Sequence, residues 1–281
     1  MNFKKNVYIV GSSGFIGANL YDSLDVPNKL KVGRANSDIF LDLSSNDFDN
    51  LISVIKKDDV VVLLAAISSP DLCEKSYEES YNINVINTIK LIELLLSKGV
   101  KVLFSSSDAV FGGTEKPCLE DSEKKPFGKY GQMKSEVEEC FKEDRNFFVI
   151  RFSYVLANDD KFSQLVAEHA HSIQNLDVFD GFERNVISLE DVLLCIQNII
   201  TDWDAIDTRV INLSGKELVS RQDIVTEWAR KKYPNLLYSF TEAPDSFWKG
   251  RPKKINTESK YLEAILKRPS KSYKECIKEY S

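Results

Sequence analysis

Val7-Tyr8-Ile9-Val10-Gly11-Ser12-Ser13-Gly14-Phe15-Ile16-Gly17 decides the reading of this chain. A short apolar run enters three glycines and a helix-like pattern leaves them, which predicts a strand, a tight turn and a helix N-terminus. Such a turn gathers free backbone N–H groups and the positive end of a helix dipole at one place, which suits a pyrophosphate. Gly11 permits the sharp turn, Gly14 lets phosphate oxygens approach the backbone, and Gly17 lets the helix pack on the strand. Ser13, Phe15 and Ile16 complete the turn as candidate contacts. The GxxGxxG spacing is one residue longer than the GxGxxG dinucleotide pattern.

Working outward, Phe15 to Leu24 reads as a helix ended by Asp25-Val26-Pro27-Asn28, and Leu30-Lys31-Val32 as a second strand ending at Gly33-Arg34. An acidic residue at that strand end would bond the adenosine ribose hydroxyls of NAD, whereas a basic one pairs with the 2′-phosphate of NADP. Arg34 therefore points to NADP(H), with NAD the alternative. Asp42, followed by Leu43, is placed beside the adenine. Val60 to Ala66 is a continuous apolar run, as in a strand buried on both faces of a parallel sheet, and small Ala65 and Ala66 leave room for a ligand at its end.

Tyr77 to Lys98 repeats apolar residues at helical spacing and stops at Gly99. Val100 to Phe104 is the next strand, running into Ser105-Ser106-Ser107-Asp108. Tyr130 to Lys142 reads as a helix, and Phe147 to Phe152 as a strand. This alternation predicts an α/β fold, a doubly wound parallel sheet of Rossmann type over residues 1–152. Residues 153–281 form a smaller α/β substrate-binding part, interleaved with the first. In it, Phe162–Ile173 and Leu189–Ile200 are helical, Arg209–Leu213 is a strand, and Ser220 caps a further helix with Asp223 in a capping box. Pro234 to Lys254 reads as loops with one short strand.

Composition bounds the function. The chain has 281 residues, is 43% hydrophobic and 28% charged, and carries a net charge of −6 with no basic block. That excludes a general nucleic-acid binder. No apolar run nears the ~20 residues that span a bilayer, and Met1-Asn2-Phe3-Lys4-Lys5 does not open a signal peptide. Five scattered cysteines without a CxxC imply reduced thiols and a cytoplasmic protein, and His169 and His171 are too few for a structural zinc site, so no metal is expected.

The chemistry lies in Ser107, Tyr130 and Lys134. Tyr130 and Lys134 stand one helical turn apart and share a face. A carbonyl that accepts hydride needs a proton on its oxygen, and Tyr130 can supply it. A free tyrosine titrates near ~10. The Lys134 ammonium and a cationic nicotinamide are expected to lower that value. Ser107 can hydrogen-bond the same oxygen.

YxxxK with an upstream serine and an N-terminal GxxGxxG resembles the extended short-chain dehydrogenase/reductases, from about residue 5 to the C-terminus. Ser105 to Gly113 is similar to the STDYVFDG segment of dTDP-4-dehydrorhamnose reductases, and Asn84-Val85-Ile86-Asn87-Thr88 to their NVxGT. Arg251-Pro252-Lys253, followed by Thr257 to Leu262, is similar to their late RPxx…S-K-L segment. Arg184 to Val192 looks like the RDFIHVDDV stretch of nucleotide-sugar epimerases and reductases. The resemblance implies a catalytic trio of Ser107, Tyr130 and Lys134, with Asn84 steadying Lys134 through water. It implies substrate contacts at Asp108, with Arg184 and Arg251 on a nucleotide diphosphate. It also implies a role in carbohydrate biosynthesis and a homodimer built on the helices near 77–98 and 130–142.

Two departures bear on the substrate. Dehydratases of this superfamily carry Thr-Asp-Glu, but Ala109 replaces the glutamate and cannot move a proton. The rhamnose-precursor reductases carry tyrosine there. The expected activity is an NADP-dependent reduction of a nucleotide-activated keto sugar. A nucleotide-sugar 4-epimerase with tightly bound NAD is the alternative, and a non-catalytic regulatory subunit like that of methionine adenosyltransferase is the third reading.

Overall fold

The computed structural model describes residues 5–280; of the Met1–Lys5 stretch, Met1 to Lys4 lie outside the described residues. Seven strands form a wholly parallel sheet in the order Val210–Leu213, Phe147–Phe152, Lys101–Ser107, Val60–Leu63, Val7–Val10, Lys29–Gly33 and Ile39–Phe40. Strand order reverses at Val7–Val10, which lies between Val60–Leu63 and Lys29–Gly33. A crevice opens at such a switch point beyond the strands' carboxyl ends, and the glycine turn stands there.

Alternation sends neighbouring side chains to opposite faces. Val7, Ile9, Val60 and Val62 join one core, covered by the Phe15–Ser23, Leu189–Asp202 and Leu262–Leu266 helices. Tyr8, Val10, Val61 and Leu63 join the other, under Thr88–Ser97 and Gly128–Phe141. Covering both faces is why these strands read as unbroken apolar runs.

The chain after residue 152 returns to this sheet, because Val210–Leu213 pairs with Phe147–Phe152 as its last strand. The rest of that half has its own core, in which Trp228 and Val225 of the Arg221–Lys231 helix meet Val166 and Ile277. That helix begins with the expected capping box, Ser220 and Asp223 each bonding the other's backbone N–H. Smaller sheets join Leu218–Ser220, Glu183–Asn185 and Lys254–Ile255, and Leu176–Phe179 with Tyr238–Thr241.

Three elements differ from expectation. The Val60 strand ends at Leu63, because Leu64 and Ala65 both turn their N–H groups onto Val10 O. The helix read as Tyr77–Lys98 is three segments, Tyr77–Tyr81, a π-helical Asn82–Asn87 and Thr88–Ser97. The wide turn carries Asn84 and Asn87 inward, where Asn87 donates to Leu43 O at 2.6 Å. Pro234 to Lys254 holds a one-turn helix, Asp245–Trp248, besides its strand, and Lys254 opens another.

Candidate active site

One cleft of about 1200 Å³ runs along the carboxyl edge of the sheet and into the second half of the chain. Its floor is the glycine turn. Gly11 has φ +91°, and a Cβ there would lie 2.7 Å from Ala65 N; a Cβ on Gly17 would collide with Gly11 O. Gly14 caps the Phe15–Ser23 helix without any side chain claiming its first N–H groups. A close, bare backbone with open donors fits the phosphates of a dinucleotide. Ser13, Phe15, Ile16, Ala65 and Ala66 line the same end.

Arg34 is exposed just beyond the Lys29–Gly33 strand and lines the cleft. Asp42 lines it too. Its carboxylate accepts from Ser44 N–H and Oγ, both at 2.9 Å, and is held below the usual range by those bonds and, more weakly, by Arg34. Leu43 is buried behind it, anchored through its carbonyl to Asn87.

Ser107, Tyr130 and Lys134 all face this cleft. Ser107 is the last residue of its strand, not the residue after it. Its hydroxyl accepts from Ala109 N–H and donates to Asp108, each at 3.2 Å. Tyr130 and Lys134 come from the Gly128–Phe141 helix, which packs close at Gly131, where a Cβ would stand 2.6 Å from Ala109 O. The Lys134 Nζ donates to Ser105 O at 2.7 Å and lies 5.8 Å from the Tyr130 ring centre.

The electrostatics correct one expectation. Tyr130 is not lowered: burial pushes its phenol well up, helped by the nearby Cys73 and Asp108. Burial also brings the Lys134 ammonium down to about 8, with Cys73 and Glu138 opposing. Desolvation disfavours both charged forms. Asp108, bonded by Ser107 and by Ser153 at 3.0 Å, is likewise raised by burial.

Three of the expected site residues have protein partners of their own. Asn84 clamps Ile67, accepting from its N–H at 2.8 Å and donating to its carbonyl at 2.9 Å. Arg184 is buried and spends its terminal nitrogens on the carbonyls of Glu183, Pro252 and Lys253. Its Nε lies 3.9 Å from Asp108, and burial lowers it to about 10. Arg251 forks onto Asp71, at 2.5 and 2.6 Å. Both arginines border the cleft, but their forks are taken by protein partners.

Beneath the site lies a buried ionic group that the sequence reading missed. Glu138, one turn after Lys134, accepts from Ser106 Oγ at 2.5 Å, from Lys124 Nζ at 3.0 Å and from Arg151 through two nitrogens. Its sequence signal was an arginine inside the apolar run Phe147–Phe152. Among the described residues no group of histidine, cysteine and carboxylate side chains is arranged to hold a metal. No helix among them is long and apolar enough to cross a membrane.

Residues 5–281 match the RmlD substrate binding domain family over their whole length. The chain belongs to that family. The solved dTDP-4-dehydrorhamnose reductase of Bacillus anthracis in complex with NADP superposes with a TM-score of 0.84 over 99% of both chains, at 19% identity. MoeE5 in complex with UDP-glucuronic acid and NAD gives 0.81 over 98% of both chains, at 22% identity. These likenesses carry the Rossmann-like fold over nearly the entire chain. Among curated proteins, the N-acetyl-alpha-D-glucosaminyl-diphospho-ditrans,octacis-undecaprenol 4-epimerase of Escherichia coli O157:H7 is 30% identical over 144 residues, 49% of this chain and 43% of that protein. The methionine adenosyltransferase 2 subunit beta of Xenopus laevis is 29% identical over 109 residues, 38% of this chain and 33% of that protein. The chain thus spans under half the length of the curated relatives it matches.

Proposed function

We propose that this chain is an NADP-dependent reductase of a nucleotide-activated keto sugar. The reading rests on one observation: Ser107, Tyr130 and Lys134 border the same cleft as the bare glycine turn. The Gly11–Gly17 turn would hold the dinucleotide's phosphates, Asp42 and Leu43 its adenine end, and Arg34 its 2′-phosphate. A bound reduced nicotinamide supplies the hydride for a carbonyl carbon.

The chain's own part is the proton and the oxygen. Tyr130, held in its neutral form by burial, donates its phenolic proton to the carbonyl oxygen. Lys134, a cation below about pH 8, stabilises the phenolate left behind. Ser107 gives a hydrogen bond to the same oxygen and fixes the carbonyl's direction. With alanine at 109, no second carboxylate stands beside Asp108 to remove water, which argues against dehydration.

Fluorescence titration of NADPH and NADH, repeated with Arg34→Ala, tests the cofactor. A phosphate–arginine contact is a charge-assisted bond of about 1.5–3 kcal/mol. NADPH should therefore bind roughly 10- to 100-fold tighter than NADH in the wild type and about equally in the variant. Binding of neither dinucleotide refutes the enzyme. The curated epimerase match favours a second reading, a nucleotide-sugar 4-epimerase; NAD that co-purifies and survives dialysis would establish it over the first.

A further inference from the structure

On the wall of the second half, cations and rings alternate. The Arg184 guanidinium lies 4.2 Å from the Phe182 ring centre, and Arg221 lies 4.6 Å from the same ring. Arg221 is also 5.5 Å from Phe247, on which Arg251 rests at 4.9 Å. The two rings meet edge to face at 6.2 Å. The row reads Arg184, Phe182, Arg221, Phe247, Arg251, with Phe162 a third ring against Arg221 at 4.8 Å.

The outer cations have partners: carbonyls and Asp108 for Arg184, and Asp71 for Arg251. Arg221 has none. Among the described residues its side chain makes no hydrogen bond or ion pair, and its Nε is buried without an acceptor. Its terminal nitrogens are not sealed in the same way. The carboxylate nearby, Asp160, is already saturated: Tyr154 Oη, Ser163 Oγ and three backbone N–H groups donate to it. Aromatic faces hold a cation in place but supply no lone pairs, so the five N–H donors of Arg221 keep their capacity. Of its electrostatic neighbours Tyr154, Arg251 and Asp160, the first two line the cleft, as does its ring partner Phe182. A half-buried, ring-clamped guanidinium whose neighbouring carboxylate is already filled by other donors, with Arg184 and Arg251 as like charges beside it, is built to receive an anion.

From this row we infer that Arg221 is the principal anion-binding arginine of the substrate site, taking the diphosphate of the nucleotide sugar at the Phe182 edge. Arg251 joins it by exchanging Asp71 for phosphate, while Arg184 keeps its carbonyls and shapes the wall. This deepens the reductase reading and rests on it for the substrate, but not for the anion.

Calorimetric titration of the NADPH-loaded protein with UDP, dTDP and inorganic pyrophosphate tests it; the bound dinucleotide keeps the probes off the glycine turn. Arg221→Met should weaken all three by about 10- to 100-fold, and Arg221→Lys should restore part of that, because lysine keeps the charge and lacks the fork. NADPH affinity and melting temperature should stay at wild-type values in both. Unchanged diphosphate affinity in Arg221→Met overturns the inference. So does a loss matched by equal losses of NADPH affinity and stability in both variants, or a wild type that binds none of the three probes. Arg221-dependent diphosphate binding by a protein that never turns over a keto sugar would sink the reductase reading alone.

Discussion

Lys134→Met should abolish turnover and leave the folded chain slightly more stable. Burial lowers the Lys134 ammonium from 10.5 to about 8. At about 1.4 kcal/mol per pH unit, keeping the charged form inside costs roughly 3 kcal/mol at any pH below 8. The variant removes that cost but deprives Ser105 O of its 2.7 Å donor, at about 1–3 kcal/mol for a buried carbonyl. The difference leaves Lys134→Met roughly 1 kcal/mol ahead at pH 7. The pH dependence is the sharper signature, since methionine does not titrate. Below pH 8 both the native and the unfolded lysine are charged, and the gap between the proteins is flat. From 8 to 10.5 the native lysine is neutral while the unfolded one still binds its proton, so the wild type gains up to about 3 kcal/mol on the variant. Urea unfolding of both proteins at steps from pH 7 to 10.5 reads this directly. Wild-type reductase turnover should fall over the same rise, beginning near pH 8, as the cation opposite the phenolate is lost. A gap that stays flat across the window, or a variant more than about 2 kcal/mol less stable at pH 7, refutes the account of a strained, buried ammonium.

Tyr130→Phe should lose about 10²–10⁴-fold in kcat while NADPH binds within about twofold of wild type, measured by steady-state kinetics and fluorescence titration. Glu138→Gln takes the carboxylate from Arg151 and Ser106 in a buried setting. Urea unfolding should show a loss of about 3–5 kcal/mol, most of it recovered when Arg151→Met is added.

How much of this was legible beforehand follows from what each element depends on. Val7–Val10 and Val60–Leu63 could be read because a strand covered on both faces is apolar at every position, and Phe147–Phe152 because its single charge, Arg151, interrupts an otherwise apolar run. Gly11 and Gly17 could be read because backbone approaches backbone there. Tyr130 and Lys134 could be placed on one face by helical spacing alone. The rest needed partners far away in the chain. Arg184 is engaged by the carbonyls of residues 252 and 253, and Arg251 by Asp71. The phenol of Tyr130 rises through burial, which no local pattern records. The π turn at Asn82–Asn87 shifts hydrogen bonds by one residue while leaving the apolar spacing near that of an ordinary helix. Arg221 looked like the first residue of a capped helix, and its missing partner is visible only in three dimensions.

The return of Val210–Leu213 to the sheet also sets an order of events during synthesis. When Phe152 leaves the ribosome, the six strands made so far end in Phe147–Phe152, whose outer edge has nothing to bond. The strand that will cover it is completed roughly sixty residues later, several seconds of elongation at about 5–20 residues per second. Throughout that interval a nascent chain presents an unpaired apolar edge able to pair with another chain. Chaperone occupancy of stalled chains should therefore rise at about residue 152 and fall only once Leu213 has cleared the exit.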